Sequence, residues 1–145
     1  MKLRIKGNSI RLRLGRSEVS NLVAGEIIEE ATTFDPEGRQ RLTFRLFSTK
    51  AVVEVSASFE DGSLTVRLPT DLARNWGTTE RIGIEAVQPS SNGTSLRILI
   101  EKDLECLDAP PEESQADAYP RPSHDAACSS TTRDLRQESL PIDSL

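Results

Sequence analysis

Residues 2–14 read KLRIKGNSIRLRL, and apolar and polar positions alternate on both sides of a Gly-Asn-Ser turn. Leu3 and Ile5 alternate with Lys2, Arg4 and Lys6, and Ile10, Leu12 and Leu14 alternate with Arg11 and Arg13. Strict period-two patterning around such a turn predicts a hairpin with one buried face. Ser17 stands where a helix cap belongs, and Val19, Leu22 and Val23 form a short apolar stripe before Gly25, so a short helix is expected. A strand from about Glu26 to Phe34, a turn at Asp35–Pro36–Glu37–Gly38 and a strand through Leu42, Phe44 and Leu46 follow.

The order then recurs. Ala51–Phe59 reads as a strand, Asp61–Gly62 as a turn, and Leu64, Val66 and Leu68 as an alternating strand. Thr70 is the expected cap of a helix bearing Leu72, Ala73 and Trp76 and ended by Gly77. Arg81–Val87, a turn at Ser90–Gly93, and a strand through Leu96, Ile98 and Ile100 complete the series. At an offset of about 54 positions, Ile10, Leu12 and Leu14 fall on Leu64, Val66 and Leu68, Leu22 on Trp76, Ile28 on Ile82, and Leu42, Phe44 and Leu46 on Leu96, Ile98 and Ile100. Five elements in one shared register indicate a duplicated strand–strand–helix–strand–strand unit. The repeats span 2–47 and 51–102 within a domain of residues 1–107. The fold class expected is mainly β (α+β), a small pseudo-two-fold barrel.

Composition changes this picture at the carboxyl end. Residues 108–145 are rich in Pro, Ser, Asp and Glu without periodicity and read as a disordered acidic tail. Tyr119, Leu135, Leu140, Ile142 and Leu145 are its possible anchors for a partner. The whole chain has a formal net charge of -5. Eight acids and three bases lie from Asp108 onward, which leaves fifteen of each in residues 1–107. An overall acidic molecule argues against indiscriminate binding to nucleic acid or membrane. Yet Lys2, Arg4, Lys6, Arg11, Arg13 and Arg16 fall within the first sixteen residues, which contain no acid.

Period two puts Lys2, Arg4 and Lys6 on one face of the first strand, with Arg11 and Arg13 on the same face of its partner. Like charges side by side destabilise a sheet. A phosphate backbone would offset them through counterion release. Carboxylates of a neighbouring strand would do so equally, and Glu29, Glu30, Glu54 and Glu60 are available. These five cations, with Arg16 just beyond the hairpin, are the candidate nucleic-acid-binding residues.

The segments GNSIRLRLGRSEV and EKDLECL resemble the opening and a later segment of a family of uncharacterised bacterial proteins of unknown function. The second match rests on Glu101, Lys102, Asp103, Cys106 and Leu107. This likeness covers 2–107, can extend through Pro122, and implies no activity. GNSIRLRLGRSEV and DGSLTVRLPTDLARNWG are also similar to the looped-hinge segment of AbrB and MazE-type proteins, through Gly7, Asn8, Ser9, Arg13 and Leu14 in one copy and Gly62, Ser63, Arg67, Leu68 and Pro69 in the other. That resemblance implies a swapped-hairpin barrel and a DNA-binding or antitoxin-like regulator, with the acidic tail available to a basic protein partner. Gly15 departs from the pattern's Pro, and only the first copy has a basic strand.

Other chemistry finds little footing. His124 is the only histidine, no Cys/His spacing suits a metal, and no nucleophile or phosphate-loop motif occurs. An enzyme, a cofactor and a metal are not expected. Cys106 reads as a small buried residue near a strand end, and Trp76 as core. Two cysteines make no disulfide framework, and no signal peptide or membrane span is legible, so a cytoplasmic protein is expected. A pseudo-dimer within one chain leads to the expectation of a monomer. The competing function is a non-catalytic protein-interaction or small-ligand module without nucleic acid.

Overall fold

The computed structural model describes residues 1–105 and 115–121. The expectations for Cys106, His124, Cys128 and the remaining tail, including Leu135, Leu140, Ile142 and Leu145, lie outside these residues. The elements are β1 (Lys2–Lys6), β2 (Ser9–Leu14), α1 (Arg16–Val23), β3 (Ile28–Thr33), β4 (Arg41–Thr49), β5 (Ser56–Glu60), β6 (Ser63–Pro69), α2 (Thr70–Thr78), β7 (Gly83–Pro89) and β8 (Ser95–Lys102). Two tight hairpins begin the halves. Gly7 opens the first turn at φ 54°, and Asp61–Gly62 makes the second with both φ values positive, at 49° and 74°. Such two-residue turns match the twist of the strands they join.

The strands form two four-stranded sheets, ordered β1-β2-β8-β7 and β3-β4-β6-β5. Each sheet takes one hairpin from each half of the chain. The halves meet at parallel central pairs, β2 with β8 and β4 with β6. Their registers correspond: Ile10 opposes Ile98 and Leu12 opposes Ile100, while Leu64 opposes Phe44 and Val66 opposes Leu46. Each of these pairs maps onto the other at an offset of 54 residues.

The inner faces enclose one aliphatic core. Leu12, Leu14, Leu46, Val66, Leu68, Ile98 and Ile100 are fully buried in it, and Leu22 of α1 and Trp76 of α2 seal the same end. Burying each such side chain contributes about 1.5–3 kcal/mol, which is why the alternating positions dictate the sheets. The two helices pack on each other through Gly77, where an added Cβ would run into Val23 Cγ2 and come within 3.3 Å of Val19 Cγ1.

Several expectations are corrected. Gly77 does not end α2 but lies inside it, serving the helix crossing. Ser17 is in the first turn of α1, with Gly15 at the cap position, and Thr70 is the first residue of α2, behind Pro69. Residues 51–55 are not strand; Val53 is 92% exposed, and β5 starts at Ser56. β-Branched residues favour strands only where there is a partner to pack on.

Ile28 corresponds to Ile84 rather than Ile82, because Ile28 opposes Leu46 and Ile84 opposes Ile100. The second half is two residues longer from Trp76 to Ile84 than the first is from Leu22 to Ile28, and it regains register in a shorter turn between β7 and β8.

No continuous ladder closes the two sheets into one barrel. One seam is bridged by a side chain: Ala57 N–H donates to Gln88 Oε1 (2.7 Å), and Gln88 Nε2 donates to Ala57 O (3.0 Å). Toward the other seam, between β1 and β3, the Met1 amino group contacts Glu18 and lies 3.1 Å from Glu30 Oε1.

The domain does not stop at residue 107. Residues 115–121 pack back on it: Ala118 is buried, Tyr119 N–H donates to Asp103 O (2.7 Å), and Glu105 N–H donates to Tyr119 O (2.8 Å). Tyr119 is thus engaged within the chain rather than presented to a partner.

Candidate nucleic-acid interface

Because Ile10, Leu12 and Leu14 point into the core, Ser9, Arg11 and Arg13 point outward, and the ladder aligns β1 with them. The outer face of β1-β2-β8-β7 therefore has three rows. Lys2, Arg13, Glu101 and Gly83 form the first; Arg4, Arg11, Leu99 and Glu85 the second; Lys6, Ser9, Arg97 and Val87 the third. The sequence-predicted cations Lys2, Arg4, Lys6, Arg11 and Arg13 are brought together here. Arg97, which the sequence reading omitted, joins them.

Part of this charge is met from within. Arg11 places Nε and Nη2 at 2.6 and 2.5 Å from Glu101 Oε2, and Arg13 Nε is 4.0 Å from the same oxygen. Lys2 Nζ is 3.0 Å from Asp103 Oδ2, and Arg97 Nε donates to Glu85 Oε1 at 2.7 Å. Arg4 and Lys6 are exposed and have no carboxylate partner among the described residues.

The internal partners are not the acids that sequence reasoning named. Glu29 pairs with Arg45 (2.9 Å), and Glu30 faces the Met1 amino group. Glu101 reaches the hairpin because β8 lies parallel to β2, a pairing across 88 residues that no local pattern announces. β4 and β6 pair in the same parallel sense.

The other sheet offers a comparison within the molecule. At the offset of 54, Lys2, Arg4 and Lys6 correspond to Ser56, Ser58 and Glu60 of β5, while Arg13 corresponds to Arg67. Arg67 there donates to Ser58 Oγ (3.1 Å) and lies over the Phe47 ring (5.6 Å). A first hairpin strand of this fold forms without the three cations.

Arg16 is not on this face. It opens α1, where a cation opposes the helix dipole, and its guanidinium sits 5.7 Å from the Tyr119 ring centroid. The turn has its own anion in Glu18, whose Oε2 accepts from Gly15 N–H (2.9 Å), and Asp117 adds a second. Arg16 N–H donates to Asp117 O (2.9 Å), Ser17 N–H to Asp117 Oδ1 (3.1 Å) and Ser17 Oγ to Asp117 Oδ2 (2.6 Å). The Ser17 hydroxyl, then its amide, holds the Asp117 carboxyl below its ordinary pKa against a small opposing effect of burial.

Gly15 makes room for this carboxylate. A Cβ at residue 15 would run into Asp117 Oδ2 and lie 3.0 Å from its carbonyl oxygen. The departure from Pro at this position is the sequence signal that sequence reasoning left unread.

Lys102 is a further ionisable group, buried at the end of β8. Its Nζ donates to Thr79 O (2.6 Å) and lies 5.9 and 5.3 Å from the Trp76 and Tyr119 ring centroids. Burial pushes its pKa down, opposed by the charge of Glu80. A cavity of about 180 Å³ beside the first row is lined by Met1, Lys2, Arg13, Gly15, Ser17, Glu18, Asp103, Asp117 and Ala118. Among the described residues no group of three His, Cys, Asp or Glu side chains is placed to hold a metal. No helix among them is long and apolar enough to cross a membrane.

The fold and this face define a small β-rich protein of two four-stranded sheets with a cation-bearing outer surface. The chain belongs to a family of unknown function, DUF7009, whose model matches residues 1–123. The match takes in the 115–121 segment together with the two sheets. No curated protein and no solved structure matches the chain.

Proposed function

We propose that this protein binds DNA or another polyanion through the outer face of β1-β2-β8-β7, as a non-catalytic regulator. The hairpin exchange supports kinship with the AbrB and MazE-type swapped-hairpin proteins, here with both copies in one chain. One observation carries the functional reading. The cations of β1 are replaced by Ser56, Ser58 and Glu60 at the corresponding places of β5, so they answer no requirement of the fold. Arg4 and Lys6, which lack carboxylate partners among the described residues, are the first phosphate contacts, and Lys2, Arg11, Arg13 and Arg97 flank them. Phosphates exchange condensed counterions for these side chains, and register on the duplex comes from the spacing of the rows.

The test is binding of a mixed-sequence duplex of about 20 base pairs at about 50 mM salt, conditions in which phosphate contacts dominate. Arg4→Glu/Lys6→Glu alters two exposed side chains and is expected to weaken binding by roughly tenfold or more, since two phosphate contacts become repulsions. Glu101→Gln, which releases Arg11 and Arg13, is expected to strengthen it. The internal pairing of Lys2, Arg11 and Arg13 favours a second reading, a protein-interaction module without nucleic acid. Complete lack of duplex binding by the wild-type chain would select that module.

A further inference from the structure

We propose that residues 115–121 are an autoinhibitory strap on the basic face. Closed, the strap places the Asp117 carboxylate in the cavity shared with Lys2 and Arg13 and holds Arg16 beneath Tyr119. Open, it removes that carboxylate from beside Lys2 and Arg13 and uncovers Arg16 at the start of α1. The proposal rests on the polyanion reading of the same face.

The strap is held by hydrogen bonds at Asp117, Tyr119 and Arg121 and by Arg16 and Lys102 against the Tyr119 ring, rather than by a packed apolar face. Ala118 is buried and Tyr119 half-buried, but Asp117 is exposed, and among the described residues the strand-like pairing is a single bridge from Tyr119 to Leu104. A segment with so little buried apolar area opens without unfolding the sheets beneath it. The seat is nonetheless specific. Position 15 must lack a Cβ for Asp117 to approach, whereas the second half has Pro69 at the start of its helix. The first turn of α1, which has its own carboxylate in Glu18, takes a second one beside Arg16 from 100 residues along the chain. A carboxylate beside cations that would otherwise face phosphate lowers the local positive potential. Strap release and polyanion binding are therefore linked: the affinity observed is the intrinsic affinity scaled by the open fraction.

The test uses the full chain and two variants, Asp117→Asn and Gly15→Ala. Two readouts are taken together: hydrogen exchange at the Arg16 and Ser17 amides, and affinity for the duplex of about 20 base pairs at about 50 mM salt. Both variants are expected to lose protection at these two amides, keep that of β2 and β8, and bind roughly three- to tenfold tighter. Gly15→Ala changes no charge, so a gain there separates release from net charge. Tyr119→Ala is a second neutral variant should Gly15→Ala lose the protection of β2 and β8. Lost amide protection with unchanged or weaker affinity in the neutral variants overturns the strap and leaves the polyanion reading standing. Retained protection in all variants also overturns the strap. Absence of duplex binding by wild type and variants alike overturns both readings.

Discussion

Trp76→Ala is expected to destabilise the protein by about 3–5 kcal/mol, the range for deleting a fully enclosed aromatic side chain. Trp76 is 0% exposed and sits in α2, which packs on β4 and β6. Its indole N–H donates to Ile82 O (3.0 Å), and its ring is one of two aromatic faces near Lys102. Alanine would leave a cavity, forfeit that hydrogen bond and leave a buried ammonium less well surrounded. Trp76→Phe keeps most of the packing and is expected to cost clearly less. Leu22→Ala, at the corresponding position of α1 and also 0% exposed, is expected to cost about 2–5 kcal/mol. Urea titration of the three variants gives these values. A loss under about 1 kcal/mol for Trp76→Ala, the level of a surface change, would mean that α2 does not seal the core.

Severing the chain between its halves is expected to abolish folding of either half as a monomer. In residues 1–49, β2 and β4 lie in different sheets, and each has its parallel partner in the other half. Each half alone is two hairpins around one short helix, with half of every core layer missing. Isolated hairpins are at best marginally stable in water. Fragments 1–49 and 51–121 are thus expected to show no cooperative monomeric unfolding when separate. Mixed, they are expected to form a one-to-one complex with the strand content of the intact chain. Circular dichroism with analytical ultracentrifugation reads both. A stably folded monomer of either fragment would contradict the exchange of hairpins.

What the amino-acid pattern made legible is what one-sided burial governs. The four central strands around Leu12, Leu46, Val66 and Ile100 alternate because each has one face in the core, and the structure buries those residues fully. Where a partner rather than a pattern decides, reading from sequence fails. Residues 51–55 are as β-branched as a strand, but no neighbour pairs with them. Ile82 and Ile84 are equally apolar, and only the antiparallel register with Ile100 selects Ile84 as the match of Ile28. Gly77 reads as a helix end, yet its function depends on Val23 of the other helix.

The candidate face followed the same division. Period two was enough to align Lys2, Arg4, Lys6, Arg11 and Arg13, because alternation is a property of the strand alone. Glu101 and Asp103 became visible only when β8 was placed beside β2. Asp117 lay in a stretch whose acidity resembles a solvated tail, and only the empty Cβ position of Gly15 explains how it docks. Arg16, grouped with the hairpin by sequence proximity, belongs to a helix start and to the strap.

The salt dependence of duplex binding by the wild-type chain is the most direct measurement of whether the β1–β2 face meets phosphate. Between about 50 and about 200 mM salt, log K is expected to fall linearly with log salt with a slope of roughly -2 to -4, one counterion for each of a few phosphates neutralised. Binding that does not change across this range, or that is absent at its lower end, would contradict the assignment of this face.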